Sequence, residues 1–404
     1  MTDIHVYTSA AANYLPKVRV LFATLEEHHP EWRRHLVLVE DESVTLEPSR
    51  AGAHSVLTMA DLGIAHWRPW SFCHRLVELA TAVKPFAMAR LLARDDARAV
   101  IYLDPDTALF SPLDEVVAAL EEASILLTPH LLQAETQLGR VMDNEVSCLR
   151  HGVYNLGFVA VAANSTGHAF AQWWSERLYR FCRDDVAQGL FTDQRWIDLV
   201  PALFPEVAVL RSPRLNVASW NLSQRQLTAE DGAFVVEGEP LGFYHFTSLS
   251  TGSHALMALK NSAGPAALQA LTEWYGEKER ALTVDSDAGP WSFGTYSDGT
   301  GIDDAHRRLF RDSPTLQQRF DDPYDARGFA AYVASHPELV PGESPPALPL
   351  SVGYSWGDPA FDGQKLQRLL GAMLTDPRLA TVITRRLVSV LGKEGLAGVM
   401  RRLR

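Results

Sequence analysis

Along the first 250 residues of the chain, two hydrophobic periods take turns. Short runs that are apolar nearly throughout alternate with longer segments whose apolar residues recur every three or four positions. The first pattern predicts strands buried on both faces, and the second predicts amphipathic helices packed over them. DIHVYTS (3–9) predicts a first strand. Residues 13–29 predict a helix with Leu15, Val18, Phe22 and Leu25 on one face and Pro16 near its start. HLVLVED (35–41) predicts a second strand, which ends in acids, and SVLTMADLG (55–63) a short third. After a Trp-rich segment, SFCHRLVELATAV and PFAMARLLARD predict two helices, the second opened by Pro85. RAVIYLD (98–104) is a continuous apolar strand, and DEVVAALEEA (114–123) a short helix. SILLTPH (124–130) and YNLGFVAVAAN (154–164) predict strands, and GHAFAQWWSERLYRFCR (167–183) a helix with its aromatics on one side. FTDQRWIDLVPALF (191–204) predicts a helix with Thr192 and Asp193 near its N-cap. This order of elements predicts an α/β sandwich with a mostly parallel central sheet.

From about residue 285 the pattern changes. A Gly/Asp/Ser-rich loop gives way to a helical stretch ending near 336, then to a Pro-rich segment, PGESPPALPLSVGYSWGDP (341–359). The last stretch is amphipathic and basic. The expected division is a catalytic unit over 1–284, a loop-plus-helix extension over 285–340, a linker over 341–359 and a helical tail over 360–404. Composition narrows the class. The chain has 404 residues, 47% hydrophobic and 21% charged, with a formal net charge of −12. That acidity argues against nucleic acid as a partner. Cys73, Cys148 and Cys182 are too few and too scattered for a disulfide framework or a zinc site. With no leader pattern and no long apolar run, they point to reduced thiols in a cytoplasmic protein.

The segment AVIYLDPDTALFSPLDE (99–115) carries the chemistry. An apolar strand runs straight into Asp104 and Asp106, with Pro105 between them. In an open α/β sheet, ligands bind outside the carboxyl ends of the strands. Side chains two apart on an extended segment point the same way, and proline fixes the backbone between them. Two such carboxylates repel unless one is protonated or a cation lies between them. A hard divalent ion, Mn²⁺ or Mg²⁺, takes such oxygens and fills its remaining positions with water and phosphate. The corner is therefore expected to hold a metal-bound diphosphate. A second D-x-D, Asp285-Ser286-Asp287, has no strand before it and is expected to be an ordinary polar loop.

ELATAVKPFAMARLL…AVIYLDPDTALFSPLDEV resembles the donor-site region of GT-A-fold, metal-dependent glycosyltransferases, in particular the glycogenin-like and galactosyltransferase-like group. GVYNLGFVAVAAN is similar to the N-x-G strand lining their donor-sugar pocket, and FTDQRWID to their D-Q motif. LNVASWNLSQR followed by FYHFTSLS resembles the segment that closes the site with a histidine. The resemblance implies a Rossmann-like GT-A sandwich with a helical C-terminal extension. It also implies Asp106 as a metal ligand, Asp104 as ligand or ribose contact, and His245 as the third ligand. Lys84 would neutralise charge on the leaving phosphate or hold the donor sugar. Asn155 would contact sugar hydroxyls, and Gly157 would let the ligand approach the backbone. Asp193 would bind donor hydroxyls, with Gln194 beside the anomeric carbon. Thr8 and Ser9 fall where base and ribose bind, and Tyr7 would stack on uracil or simply pack. The chain departs from the glycogenin-like pattern after His245: the glycine and lysine expected there arrive late, as Gly252 and Lys260. Hydroxyls of Ser248 or Ser250 are the candidate replacements for that diphosphate clamp.

These features predict transfer of a sugar from a UDP- or GDP-sugar to an acceptor hydroxyl on a glycan, lipid-linked or protein acceptor, in glycan, glycolipid or glycoconjugate synthesis. The resemblance favours retention, unless Asp193 serves as the base. The polar segment 127–155 is the candidate lid or acceptor platform, and Trp67 and Trp70 would either stack on sugars or pack. The basic tail, with Arg385, Arg386, Lys393, Arg401, Arg402 and Arg404, would lie on an anionic membrane at the inner face or pack on the domain. The principal rival is a non-catalytic nucleotide-sugar-binding module of the same fold. A nucleotidyltransferase is disfavoured because TSAAANYLPK lacks a Gly-rich loop, and a glycoside hydrolase because its carboxylates would flank the sugar.

Overall fold

In the computed structural model, residues 4–340 are described, apart from Asp231, Ser250, Thr251, Ala263 and Ala288 and the side chain of Ser286. The linker and the basic tail, with the expectations attached to them, lie outside the described residues, as does the clamp candidate Ser250. Seven strands form the central sheet. Six of them run in one direction, so the mostly parallel sheet expected from the apolar runs is present.

The strands are β1 (Ile4–Ala10), β2 (Arg33–Leu38), β3 (Ser55–Leu57), β4 (Ala99–Leu103), β6 (Ile125–Pro129), β7 (Tyr154–Ala162) and Val207–Val209. β5 (Thr107–Leu109) belongs to a smaller sheet. The spatial order is Val207–Val209, β6, β7, β4, β1, β2, β3. Only β7 is antiparallel to its neighbours, pairing Leu103 of β4 with Phe158. This reversal puts the start of β7 beside the end of β4, which is the edge where ligands bind in such sheets. Every residue of β1, β4 and β6 is buried, as expected of strands covered on both faces.

The helix Leu15–His28 begins with Pro16 in its first turn and buries Leu15, Val18, Phe22 and Leu25 on one side of the sheet. The helix Lys84–Leu92 and the long helix Ser165–Phe181 cover the other side through Met88, Leu91, Phe170 and Trp174. Asn164 caps the long helix by accepting from the Gly167 N–H at 2.9 Å.

Residues 291–340 extend this second layer. Phe293, Tyr296, Phe310 and Phe329 share one core with Phe72 and Leu79. The acids after β2 anchor the extension: Glu40 accepts from Ser292 N–H at 2.8 Å, and Asp41 pairs with Arg68. The second D-x-D is also structural, because Asp287 receives both ends of the Arg19 guanidinium, at 2.5 and 2.9 Å. Trp67 and Trp70 pack as well. Trp67 meets Phe293 edge-on, and the Trp70 indole N–H donates to the Tyr179 carbonyl at 2.7 Å, so neither presents a face for a sugar.

Two expectations need correction. The 191–204 region is not one helix but a short strand Leu190–Phe191 and two four-residue helices, Gln194–Ile197 and Val200–Leu203. Pro201 opens the second and excludes a continuous run. The polar segment before β7 is not a loop throughout: residues 138–151 are helical turns, including one π turn at Val141–Glu145.

Buried histidines make the fold sensitive to acid. His35 bonds His5 Nδ1 at 2.8 Å and Ser55 Oγ at 2.7 Å, and His254 bonds the Tyr244 hydroxyl at 2.9 Å. Burial pushes the pKa of His35 down to about 3, and those of His74, His130 and His254 to about 4. The unfolded chain takes up these protons near the ordinary value of about 6.5. Because the folded values are depressed, the neutral rings contribute stability that is complete above that pH and lost as the pH falls through the window below it. His245, whose pKa is raised, works in the opposite sense, but His5, His29 and His54 are also lowered and add to the four. We expect each of the four to cost roughly 1 kcal/mol between pH 7.5 and 5.5, lowering Tm by about 5 °C in calorimetry. An unchanged Tm would show that these rings are already open to protons in the native state.

Candidate active site

Asp104 follows β4 directly, and its backbone N–H donates to the Gly157 carbonyl at 2.9 Å. Two residues on, β5 pairs antiparallel with the strand Phe243–His245, which sets His245 opposite Thr107. The Phe246 N–H closes the corner on the Asp106 carbonyl at 2.7 Å. The His245 imidazole is thereby carried to the two aspartates: Nε2 lies 3.1 Å from Asp106 Oδ1 and 3.5 Å from Asp104 Oδ2. One donor atom from each of the three residues lies within 4.8 Å of the others.

This donor set fits a divalent cation. Two carboxylate oxygens and one imidazole nitrogen are donors that a divalent metal ion takes, and the charge balance asks for a cation. Burial by itself lowers the His245 pKa, but Asp106 and Asp104 outweigh it and raise it above the ordinary value. Burial likewise disfavours the Asp106 carboxylate, and His245 and Lys17 outweigh it and hold its pKa down.

A second charged group backs the first. Lys84 is 2% exposed, and its ammonium lies 3.3 Å from Asp104 Oδ1 and 2.9 Å from Asp193 Oδ2. It also donates to the Leu156 carbonyl at 3.1 Å and rests 4.2 Å from the centre of the Tyr102 ring. Burial opposes the charge, but Asp104 and Asp193 outweigh it and raise the lysine pKa above its ordinary range. Asp193 stands at the N-terminus of Gln194–Ile197 yet makes no cap bond, because its side chain turns inward to Lys84. The residue before it, Thr192, holds φ at 43°, a left-handed conformation that a β-branched residue adopts only when its surroundings impose it.

At the start of β7, Asn155 Oδ1 accepts from the Gly157 N–H at 2.8 Å and from Asn216 Nδ2 at 3.1 Å, and Asn155 Nδ2 lies 3.1 Å from His130 Nε2. Gly157 has no room for a side chain. A Cβ there would stand 2.5 Å from His245 Cε1 and 2.7 Å from Asn155 Oδ1. Glycine is required here for the close approach of the histidine rather than for an unusual φ. Both ends of the Gln194 amide are engaged by backbone: Nε2 donates to the His151 carbonyl at 2.8 Å and Oε1 accepts from the Leu156 N–H at 3.2 Å.

On the first strand, packing is the alternative that holds for Tyr7. Tyr7 is wholly buried, edge-on to Tyr102, and donates to the Lys84 carbonyl at 2.7 Å, so it packs and offers no face to a base. The Ser9 hydroxyl is taken by the Ala80 carbonyl at 2.6 Å, and Thr8 is fully buried. The cause is local: β1 is a central strand covered on both sides along its whole length. Lys260, the late lysine, pairs with Asp143 at 2.8 Å.

Asp104, His245, Lys84, Asp193, Gln194, Asn155 and Gly157 all line one cleft of about 630 Å³. Residues not singled out in the sequence complete it. Tyr102 donates to Asp104 Oδ1 at 2.6 Å from beneath. His130 and Trp220 stand on the wall, the Trp220 ring 5.5 Å from that of His245 and nearly perpendicular to it. Asp143, Asn144, Ser147, Cys148 and His151, from the helical segment before β7, form the far wall. Tyr102 could have been found from the alternation of β4, which puts it on the face shared with Asp104; Trp220 and His130 carry no local signal.

No family model matches the chain. It is 29% identical over 174 residues to the uncharacterized protein YfnF of Bacillus subtilis (strain 168), spanning 42% of this chain and 56% of that one. It is 23% identical over 257 residues to the uncharacterized protein YfnD of the same organism, spanning 62% and 79%. The chain therefore spans just over half the length of the first of these relatives. Among solved structures it is similar to the galactosyltransferase LgtC in complex with donor and acceptor sugar analogues. The identity is 14% and the TM-score 0.40, over 69% of this chain and 96% of that one. An active-site mutant of LgtC gives 15% identity and a TM-score of 0.37, over 70% and 96%.

Proposed function

We propose that this protein is a metal-dependent glycosyltransferase of the GT-A type, moving a sugar from a UDP- or GDP-sugar to an acceptor hydroxyl with retention at the anomeric carbon. The observation that carries this reading is the convergence of Asp104, Asp106 and His245 at the carboxyl edge of a mostly parallel sheet, with Asp104 and His245 on the wall of a cleft large enough for a donor sugar and Asp106 behind them. Those three side chains would hold the Mn²⁺ or Mg²⁺ ion, which when bound supplies Lewis-acid stabilisation of the charge on the leaving diphosphate.

The chain's own residues divide the remaining work. Lys84, locked between Asp104 and Asp193, fixes the orientation of both carboxylates. Asp193 and Asn155 face the cleft from opposite sides and bind hydroxyls of the donor sugar, while Gly157 keeps the floor open for His245. Gln194 acts as a positioning residue: its amide ties residues 151 and 156 to the Asp193 turn. Asp193 is buried and tied to Lys84, so it is not free to swing onto an acceptor hydroxyl, which favours retention over inversion. The helical segment 138–151 is the acceptor wall. The basic tail lies outside the described residues; among the described residues no helix is long and apolar enough to cross a membrane.

A panel of UDP- and GDP-sugars, with and without Mn²⁺, tests the reading through nucleotide release. We expect Mn²⁺-dependent release from one donor. Thermal stabilisation by a donor without turnover would make the protein a binding module instead, and silence toward every donor would sink both readings.

A further inference from the structure

A diphosphate held at the metal needs hydrogen-bond donors on the side away from the ion, and the obvious cations of the cleft are already engaged. Lys84 is shared by Asp104 and Asp193, and Arg75 by Glu78 and Asp184. Lys260, the first lysine after His245, is paired with Asp143. Two neutral donors on the cleft wall have no such partner. The indole N–H of Trp220 and the hydroxyl of Thr247 are buried and make no hydrogen bond among the described residues.

Their placement follows from the small sheet. Val217–Ala218 runs parallel to Phe243–His245, with Ala218 opposite His245. Trp220 and Thr247 each lie two residues beyond that paired position, on adjacent chains leaving the same edge. The Trp220 ring stands 5.5 Å from the imidazole whose Nε2 faces Asp104 and Asp106, and Thr247 lines the same cleft. Burying a donor without an acceptor costs free energy, so two such donors on one cleft mark a place that a ligand oxygen completes.

Resting on the glycosyltransferase reading, we infer that Trp220 and Thr247 form an uncharged clamp, an N–H and an O–H that together bind the diphosphate oxygens not taken by the metal. The clamp replaces the lysine that the sequence lacks after His245. Its consequence is strong metal dependence, because this wall brings no compensating cation. Without the ion, a nucleoside diphosphate has only neutral donors there to bind.

Isothermal titration tests this without relying on turnover. Mn²⁺ alone, Mn²⁺ with pyrophosphate, and Mn²⁺ with UDP or GDP are titrated into the wild-type chain and into Trp220→Phe, Thr247→Val and Thr247→Ser. We expect Trp220→Phe and Thr247→Val each to weaken pyrophosphate and nucleoside diphosphate about tenfold. Mn²⁺ affinity should stay within about twofold, and Thr247→Ser, which keeps the hydroxyl, should bind like wild type. The three side chains are independent tests, so misfolding of one variant, read from its melting curve, leaves the others decisive. Wild-type affinity for pyrophosphate and UDP in both Trp220→Phe and Thr247→Val overturns the clamp and leaves the proposed function standing. Loss of Mn²⁺ binding in those variants also overturns it, by placing the two side chains in the metal site. Failure of the wild-type chain to bind Mn²⁺ with either nucleotide removes the proposed function and the clamp together.

Discussion

Asp106→Asn is expected to abolish metal-dependent nucleotide release while leaving the protein folded. The substitution keeps the size and shape of the side chain and removes one of the two carboxylates in the site. Losing a direct ligand costs more than the ten- to hundredfold typical of groups that merely orient ligands, so we expect a fall of about a thousandfold or more in turnover. Mn²⁺ affinity, read by electron paramagnetic resonance, should fall in parallel. The fold should survive because what holds the corner is mainly backbone: the Asp106 carbonyl still accepts from Phe246, and β5 still pairs with Phe243–His245. The second D-x-D provides the contrast. Asp287→Asn removes the partner of a buried arginine, Arg19, and should lower stability without altering Mn²⁺ affinity. Full activity in Asp106→Asn would remove the metal-site assignment, and lost Mn²⁺ binding in Asp287→Asn would show that the two motifs had been assigned the wrong way round.

The contrast also shows what the sequence discloses. Asp104 and Asp106 were legible because everything that aims them is local: an apolar strand, a proline and a spacing of two. His245 was reachable because an apolar run precedes it, although what delivers it is an antiparallel pairing with β5 that spans more than a hundred residues of chain. Lys84 and Asp193 were each named, but their pairing was not foreseen. Nothing in TAVKPF or FTDQRW announces the other, and they meet only because two helices bring their N-terminal ends to one point beneath the cleft. Tyr7 and Ser9 went the other way. Their position after a first strand suggested a nucleotide, yet in this chain both hydroxyls bond to carbonyls of the helical region before β4. Trp67 and Trp70 illustrate a similar limit. An aromatic pair in a polar context is compatible with sugar stacking, and it is Phe293 of the extension against Trp67, and Tyr179 and Phe86 against Trp70, that decide for packing.

Replacing Lys84 with methionine is expected to be the most destabilising single change in the site. Methionine fills nearly the same volume, so packing is preserved and the loss is electrostatic. Asp193, with its side chain 3% exposed, would be left buried without Lys84, and Asp104 would lose one of its three side-chain partners. Breaking a buried ion pair by removing one partner costs about 3–5 kcal/mol, because the remaining charge must be protonated or rehydrated. Chemical denaturation should register that loss in Lys84→Met. Asp193→Asn should cost less, since Lys84 keeps Asp104 and the Leu156 carbonyl. The double substitution Lys84→Met/Asp193→Asn should recover part of the loss, because it removes the stranded charge along with its partner. That ordering separates two accounts of the lysine. If Lys84 were an ordinary buried anchor held by its stem, the single and double variants would be equally unstable. If it serves as the buried counter-charge of Asp193, the double variant will be the more stable of the two, yet still without turnover, since Asp193 will no longer be there to receive a sugar hydroxyl.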